Sequence, residues 1–508
     1  MNRSPLLQEM LERILKAKVY DVAIESPLDP APKLSRRLGA KVLLKREDQQ
    51  PVFSFKLRGA YNRMRLLSEA ERSRGVVCAS AGNHAQGVAL SARRLGTEAI
   101  IVMPRTTPAI KVQAVRDLGG TVVLHGDSYD EAGTEAQRRC AEEGRVYIHP
   151  YDDPEVIAGQ GTIAMELLRQ TDAPFAAVFI PVGGGGLAAG IGACLKALYP
   201  EIRVIGVEPV DAAGMTRSLE AGHRVFLGEV GLFADGVAVK KVGEHTFEIC
   251  REVIDEMVTV DTDAICAAIK DVYEDTRTIL EPAGALATAG CKAWRAANPE
   301  GEPTLVVLAC GANMNFDRLR HVAERAELGE AREALLAVTI PERPGSFRAF
   351  CHALGDRAIT EFNYRAADPD AAHVFAGVQV RDRKEAGALV AHLQKQGFAT
   401  VDLSGDELAK LHLRHLVGGR PPAGMKERLF RFEFPERPGA LFRFLDSLPA
   451  GGNITLFHYR NHGADVGRVL AGLQIPTDQE DAFQQFLADL GYSFVEETSN
   501  PGASLFLS

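Results

Sequence analysis

The chain has 508 residues, 46% of them hydrophobic and 25% charged, with 58 Lys+Arg against 67 Asp+Glu and a formal net charge of −9. It is too long for one core, so roughly two to four globular domains are expected. The acid excess argues against a nucleic-acid or anionic-membrane partner, since either would favour a basic face. Eight cysteines stand singly with no CxxC pair, the pattern of free thiols in a reducing cytosol, so a cytoplasmic location is expected.

At the N-terminus Leu6, Leu7, Met10, Leu11, Ile14 and Leu15 recur at helical spacing, and Glu9 and Glu12 break any apolar run. Neither a signal peptide nor a transit peptide is expected there. From about Lys41 to Arg325 short apolar runs alternate with amphipathic stretches. Val76–Cys78, Ala99–Val102, Thr121–Leu124, Val178–Ile180, Val204–Val207 and Leu305–Leu308 predict buried parallel strands. Leu57–Leu67, His84–Leu95, Ala109–Leu118 and Asp261–Arg277 predict helices between them. This alternation implies open α/β sheets covered by helices, with functional residues at the carboxyl ends of strands. Ala173–Leu195 carries no charge, but Pro174, Pro181 and Gly183–Gly186 suit a strand, a loop and a helix start better than a membrane span.

Four segments carry chemistry. In Ser54-Phe55-Lys56-Leu57-Arg58-Gly59-Ala60, Lys56 follows an aromatic at a loop-to-helix junction. It suits a Schiff base with a carbonyl cofactor, or is simply a surface lysine lying along apolar neighbours. Ser80, Ala81, Gly82, Asn83 and His84 lead from a strand into a helix. They offer donors for a carboxylate, or a tight turn in which Asn83 caps the helix. Four consecutive glycines, Gly183 to Gly186, precede Leu187. Such a loop can close its amides around a phosphate; the other reading is plain flexibility. It is neither a dinucleotide fingerprint nor a nucleotide P-loop. Ala309-Cys310-Gly311-Ala312-Asn313 follows the strand Leu305–Leu308, where Cys310 alone reads as a buried thiol.

Beyond about Gly329 the chain repeats itself. Pro341-Glu342-Arg343-Pro344-Gly345 returns as Pro435-Glu436-Arg437-Pro438-Gly439, Asn363-Tyr364-Arg365 as His458-Tyr459-Arg460, and Ala376–Val380 as Ala471–Ile475, at offsets of 94 or 95. Each copy predicts a βαββαβ ferredoxin-like unit. The expected organisation is a catalytic domain over 1–329, repeats over 334–408 and 429–503, and a linker over 417–428.

Together the four segments resemble the fold-type II pyridoxal-phosphate enzymes (tryptophan synthase β-like) and, among them, the biosynthetic threonine dehydratases, from about Tyr20 to the C-terminus. The resemblance implies that Lys56 carries pyridoxal 5′-phosphate, with Phe55 against its ring and Asn83 on its phenolic oxygen. It further implies that Gly183–Gly186 and Leu187 hold the phosphate and that Cys310 faces the pyridine nitrogen. The substrate carboxylate would sit on Ser80–His84, and Glu281 lies near the cofactor or serves as a helix N-terminal acid. A neutral thiol, with a reference pKa of about 8.5, leaves the ring nitrogen unprotonated and suits elimination. Ala81 stands where racemases of the family have serine. After Val207-Glu208-Pro209 come Ala212 and Gly214, so a second carboxylate of the relatives' metal site is missing. Neither racemisation nor a required metal is expected.

The repeats resemble paired ACT-like domains, with Tyr364 and Tyr459 as effector contacts or core residues. The resemblance implies conversion of L-threonine to 2-oxobutanoate and ammonia, isoleucine as inhibitor, valine as a second effector, and a homotetramer. Alternatives are a serine-preferring dehydratase, a β-replacement synthase, or an amino-acid-binding regulator built on a degenerate catalytic fold.

Overall fold

The computed structural model describes residues 4–171, 175–341, 349–350, 353–355, 357, 359–365, 371–415, 427–435, 443–444, 447, 449, 453–460, 466–475 and 479–507; along 359–365 and 453–460 only the backbone is described. The chain divides into two compact units, Met1–Asn315 and Phe316–Ser508. The helix Arg318–Gly329 groups with the second unit, whereas the sequence pattern had placed it at the end of the first domain.

The first unit contains the strands Leu28–Pro30 (β1), Lys41–Arg46 (β2), Val76–Ala79 (β3), Ala99–Met103 (β4), Thr121–Leu124 (β5), Val146–Tyr147 (β6), Ala177–Pro181 (β7), Arg203–Pro209 (β8), Glu256–Val260 (β9) and Thr304–Ala309 (β10). They form two sheets, β1-β2-β10-β7-β8-β9 and β5-β4-β3-β6. Every pairing is parallel except that of β1 with β2. Every residue of β3, β4 and β7 is buried, as expected where helices cover both faces of a parallel sheet. All six predicted strands are present. Strand β2 escaped prediction because Lys41, Lys45 and Arg46 interrupt it, yet Lys45 and Arg46 are buried in ion pairs.

The uncharged segment becomes β7 and the helix Gly186–Leu198, and no helix among the described residues is long and apolar enough to cross a membrane. The N-terminal helix Pro5–Lys16 buries Leu7, Met10 and Ile14. The helix Lys56–Arg65 packs against Pro154–Gln170 through facing glycines. A Cβ on Gly59 would stand 2.6 Å from the Val156 carbonyl oxygen, and one on Gly159 would stand 2.7 Å from that of Arg58. This close approach fixes the first turn of the helix that begins with Lys56.

The second unit holds Glu333–Pro341 (β11), Ile359–Arg365 (β12), Ala371–Gln379 (β13), Ala399–Asp402 (β14), Arg428–Pro435 (β15), Asn453–Arg460 (β16), Val466–Gln474 (β17) and Phe494–Glu496 (β18). The two antiparallel sheets, β12-β13-β11-β14 and β16-β17-β15-β18, have one topology. The helices Arg383–Lys395 and Glu480–Leu490 occupy equivalent places. The two repeated Glu-Arg-Pro-Gly loops and most of the proposed linker lie outside the described residues.

Candidate active site

The site grows from the carboxyl ends of β3, β7 and β10, where a parallel α/β sheet presents its loops. Lys56 opens the helix Lys56–Arg65, and the turn before it is tied to the segment after β10. Ser54 bridges Gly311, and the Ala312 amide donates to the Phe53 carbonyl at 3.0 Å. Lys56 Nζ donates to the Gly236 carbonyl at 3.2 Å and stands 5.8 Å from the Phe55 ring centre. It therefore reaches toward a backbone carbonyl of the fold rather than running out along the surface.

Two residues further on, Arg58 is wholly buried, bonded to Glu47 at 2.7 Å and Glu166 at 2.6 Å, and Lys45 also meets Glu166 at 2.6 Å. Burial opposes the charge on Arg58, but the two carboxylates outweigh it and hold the guanidinium above its usual range.

After β3, Gly82 occupies the cap position of the helix Asn83–Leu95 with no side-chain cap, so Asn83 does not cap the helix. Its Nδ2 instead donates to Glu281 Oε1 at 2.6 Å, and its Oδ1 accepts from Asn313 Nδ2 at 2.7 Å. The Gly82 amide is taken by Ser80 Oγ at 3.3 Å. A Cβ built on Gly82 would meet nothing within 4 Å, so there is open space beside the loop. Ser80 and Ala81 are half-buried there, next to the helix's unpaired first-turn amides. His84 points away: its buried Nε2 donates to the Ile148 carbonyl at 2.9 Å, and burial lowers its pKa to about 3.

The tetraglycine loop follows β7 and opens the helix Gly186–Leu198, with Leu187 buried at its start. Gly185 sits at φ +99°, where an L side chain is strained. A Cβ on Gly184 would stand 2.2 Å from the Tyr151 ring, one on Gly186 3.0 Å from the Tyr151 carbonyl, and one on Gly183 2.8 Å from Val237 Cα. Thr246 Oγ1 donates to the Gly184 carbonyl at 2.6 Å, turning that oxygen away from a guest. Plain flexibility does not describe such a packed loop.

Glu281 directly precedes the helix Pro282–Ala297 but does not cap it. Its buried carboxyl meets Asn83, and its pKa is raised, by burial and then by Asp235, against the opposing pull of Lys56 and the Asn83 hydrogen bond. Cys310 is buried at the end of β10, its Sγ 3.7 Å from the Ala283 carbonyl, and burial and then Glu281 push the thiol up. It is neutral at physiological pH.

Glu208, on β8, is spent on structure. It accepts from the Met215 amide at 2.7 Å and from the Thr216 amide and hydroxyl at 2.8 and 2.7 Å, and burial raises its pKa to about 7. In the second unit, Tyr364 pairs with Val374 and Tyr459 with Val469, equivalent register positions of the two sheets.

Sequence reasoning passed over Tyr151, Thr246, Val237, Gly236 and Asn313. Only Asn313 had a signal, its place in the segment after β10. The others meet the site through contacts distant in sequence.

The residues fit pyridoxal phosphate. A glycine cradle that any Cβ would fill suits the phosphate, a neutral thiol suits an unprotonated ring nitrogen, and Lys56 supplies the amine. Such a site on two mostly parallel sheets defines a pyridoxal-phosphate enzyme of the α/β type. Comparison with known proteins agrees. Residues 19–311 match the family described as pyridoxal-phosphate dependent enzyme. Residues 324–413 and 419–507 each match the C-terminal regulatory domain of threonine dehydratase.

The chain is 59% identical over 503 residues to L-threonine dehydratase biosynthetic IlvA of Burkholderia multivorans, covering 98% of this chain and 99% of that one. It is 53% identical over 510 residues to the protein of the same name from Escherichia coli, covering 100% and 99%. The solved processed form of threonine deaminase isoform 2 from Solanum lycopersicum superposes with a TM-score of 0.63 at 56% identity, over 64% of this chain and 94% of that one. The chain belongs to the biosynthetic threonine dehydratase family of pyridoxal-phosphate-dependent enzymes.

Proposed function

We propose that the protein eliminates water from L-threonine and that the resulting enamine takes water up again to give 2-oxobutanoate and ammonia, the first step of isoleucine biosynthesis, with isoleucine inhibiting the enzyme through the C-terminal repeats. The observation that carries this reading is the grouping of Lys56, whose preceding turn is tied to the segment after β10, with Asn83 after β3 and the tetraglycine loop after β7, linked through Gly236–Val237 and Glu281. Bound pyridoxal phosphate would supply an electron sink for the substrate α-carbon. Gly183–Gly186 and Leu187 would hold its phosphate with loop amides and the helix N-terminus. Phe55 would lie against its ring, Asn83 would donate to its phenolic oxygen, and Cys310, a neutral thiol, would face its ring nitrogen.

The backbone of Ser80, Ala81, Gly82, Asn83 and His84 receives the substrate carboxylate, and the open space at Gly82 supports that reading. His84 takes part through its amide alone, because its ring is neutral and committed to Ile148. Lys56 is the proton carrier: its amine takes the hydrogen from the α-carbon. Glu281 holds Asn83 and sets the charge near Lys56. No metal takes part, since the carboxylate of Glu208 is committed to Met215 and Thr216.

The repeats serve as the effector module, with Tyr364 and Tyr459 as contacts for isoleucine and valine. The assembly is a cytoplasmic homotetramer. The test is 2-oxo acid release from threonine and from serine, each with and without isoleucine. Threonine turnover suppressed by isoleucine is the expected result. Preference for serine would replace the substrate, and indifference to isoleucine would remove the effector assignment. Absence of turnover with both would leave a β-replacement enzyme or a degenerate regulator.

A further inference from the structure

We infer that Asn313 is a positioning residue that fixes which end of the Asn83 side-chain amide faces the cofactor. The inference rests on the reading of Asn83 as the contact to the cofactor's phenolic oxygen.

The polarity of the chain of hydrogen bonds is set at its far end by a group that can only accept. Asn313 Nδ2 donates to the Val52 carbonyl at 2.8 Å and to Asn83 Oδ1 at 2.7 Å. Both amine hydrogens of Asn313 are thereby committed. Turning its amide over would set Oδ1 against two acceptors, so the Val52 carbonyl locks its orientation. That lock presents a donor to Asn83, which must answer with Oδ1, and Asn83 Nδ2 is then turned to Glu281 Oε1 at 2.6 Å. One Nδ2 hydrogen satisfies Glu281. The other has no acceptor among the described residues.

Gly311 makes room for the arrangement. A Cβ at that position would stand 2.2 Å from Glu281 Oε1 and 3.3 Å from Asn83 Nδ2. The same segment holds the turn before Lys56, through the Ala312 amide to the Phe53 carbonyl and the bridge between Ser54 and Gly311. One short segment after β10 therefore fixes both the lysine that carries the cofactor and the donor aimed at its ring oxygen. A buried amide reversed in such a network exchanges a donor for an acceptor where the phenolic oxygen needs a donor.

The experiment titrates the visible absorbance of the bound cofactor in the parent holoenzyme and in N313D, N313A and N83A, with thermal midpoints measured alongside. The carboxylate that N313D introduces can only accept, so Asn83 turns its Nδ2 toward it and shows Oδ1 to the cofactor and to Glu281, which takes up a proton to donate to that oxygen. The N313D band should move, with its pH midpoint displaced by about one unit or more. N313A, which leaves Glu281 alone to orient the Asn83 amide, should show a smaller displacement. If N83A displaces the band while N313D and N313A lower the thermal midpoint and keep the parent spectrum, Asn313 is a structural tie and the inference is wrong. If N83A itself leaves the spectrum unchanged, the reading of Asn83 fails and the inference falls with it. Should N313D not yield holoenzyme, N313A and N83A decide by the same criteria.

Discussion

Under the first turn of the helix Lys56–Arg65, the side chains of Lys45, Glu47, Arg58 and Glu166 are wholly buried as ion pairs. Under the second repeat's sheet, the core is made of Phe430, Phe432, Phe434, Phe444, Phe483 and Phe486 with aliphatic neighbours. The first repeat fills the same scaffold with Leu336, Val338, Ile340, Phe350, Leu389 and Leu393. The contrast separates two ways of using a core. Apolar packing needs only volume and pattern, so the repeats could diverge from aliphatic to aromatic without changing topology. A buried ion-pair network gains little net stability over apolar packing, but it tolerates no missing partner. It sits where the direction of one lysine matters.

The sharpest break of this comparison is Lys56→Ala. The residue belongs to chemistry rather than to the core, so the variant should melt like the parent. Threonine turnover should fall by about 10⁴-fold or more, the loss expected when a group that both carries the cofactor and moves the proton is removed. Retained 2-oxo acid release would refute the assignment of Lys56.

Arg58→Met tests the network itself. It leaves Glu47 and Glu166 buried with less compensation, and it should cost about 3–5 kcal/mol in urea unfolding of the holoenzyme. Arg58→Lys should recover only part of this, since one ammonium cannot reproduce a fork that meets both carboxylates. A neutral outcome for Arg58→Met would mean that the network is dispensable and that the glycine contacts of Gly59 and Gly159 alone hold the helix.

Phe432→Ala sharpens the other half. Phe432 is fully buried and should cost about 3–5 kcal/mol in the second unit. Its counterpart Val338→Ala should cost less, because fewer buried carbons are lost. Cofactor absorbance and threonine turnover without effector should stay at parent values in both. Loss of bound cofactor in either variant would show that the repeats support the catalytic unit and do not merely regulate it.

What the sequence disclosed follows the same division. Strands such as Val204–Val207 and Leu305–Leu308 were legible because parallel strands buried on both faces are continuous apolar runs. The repeat was legible because Pro-Glu-Arg-Pro-Gly recurs at a fixed spacing. Strand β2 was hidden by Lys45 and Arg46; Lys45 is paired with Glu166, 121 positions away, where no local pattern announces it, and Arg46 meets Asp48 two residues on. Glu281 reads both as a helix N-terminal acid and as a residue near the cofactor; it stands at the N-terminal cap position of Pro282–Ala297, and its contact with Asn83 comes from 198 positions away, where no local pattern announces it. Tyr151 and Thr246 shape the tetraglycine loop from elements remote in the chain, so no motif around Gly183–Gly186 could name them.

His84 gives the smallest expected effect and the most direct check on a buried neutral group. It stands beside Asn83 in the loop assigned to the substrate carboxylate, but its ring is buried against Ile148 and its pKa is lowered from 6.5 to about 3. Between those values the unfolded chain binds a proton at this site and the folded chain does not, so stability rises with pH there. The contribution is fully present above about 6.5 and is lost as pH falls toward 3, with a limiting slope of about 1.4 kcal/mol per pH unit for one proton. His84→Gln keeps an amide donor for the Ile148 carbonyl and removes the titration. Thermal midpoints of parent and variant, measured from pH 7 down to pH 4, should therefore diverge, the parent falling more steeply. Parallel curves would mean that His84 takes up a proton in the folded protein as readily as in the unfolded chain, which would return it to the list of groups able to bind the substrate carboxylate through the ring.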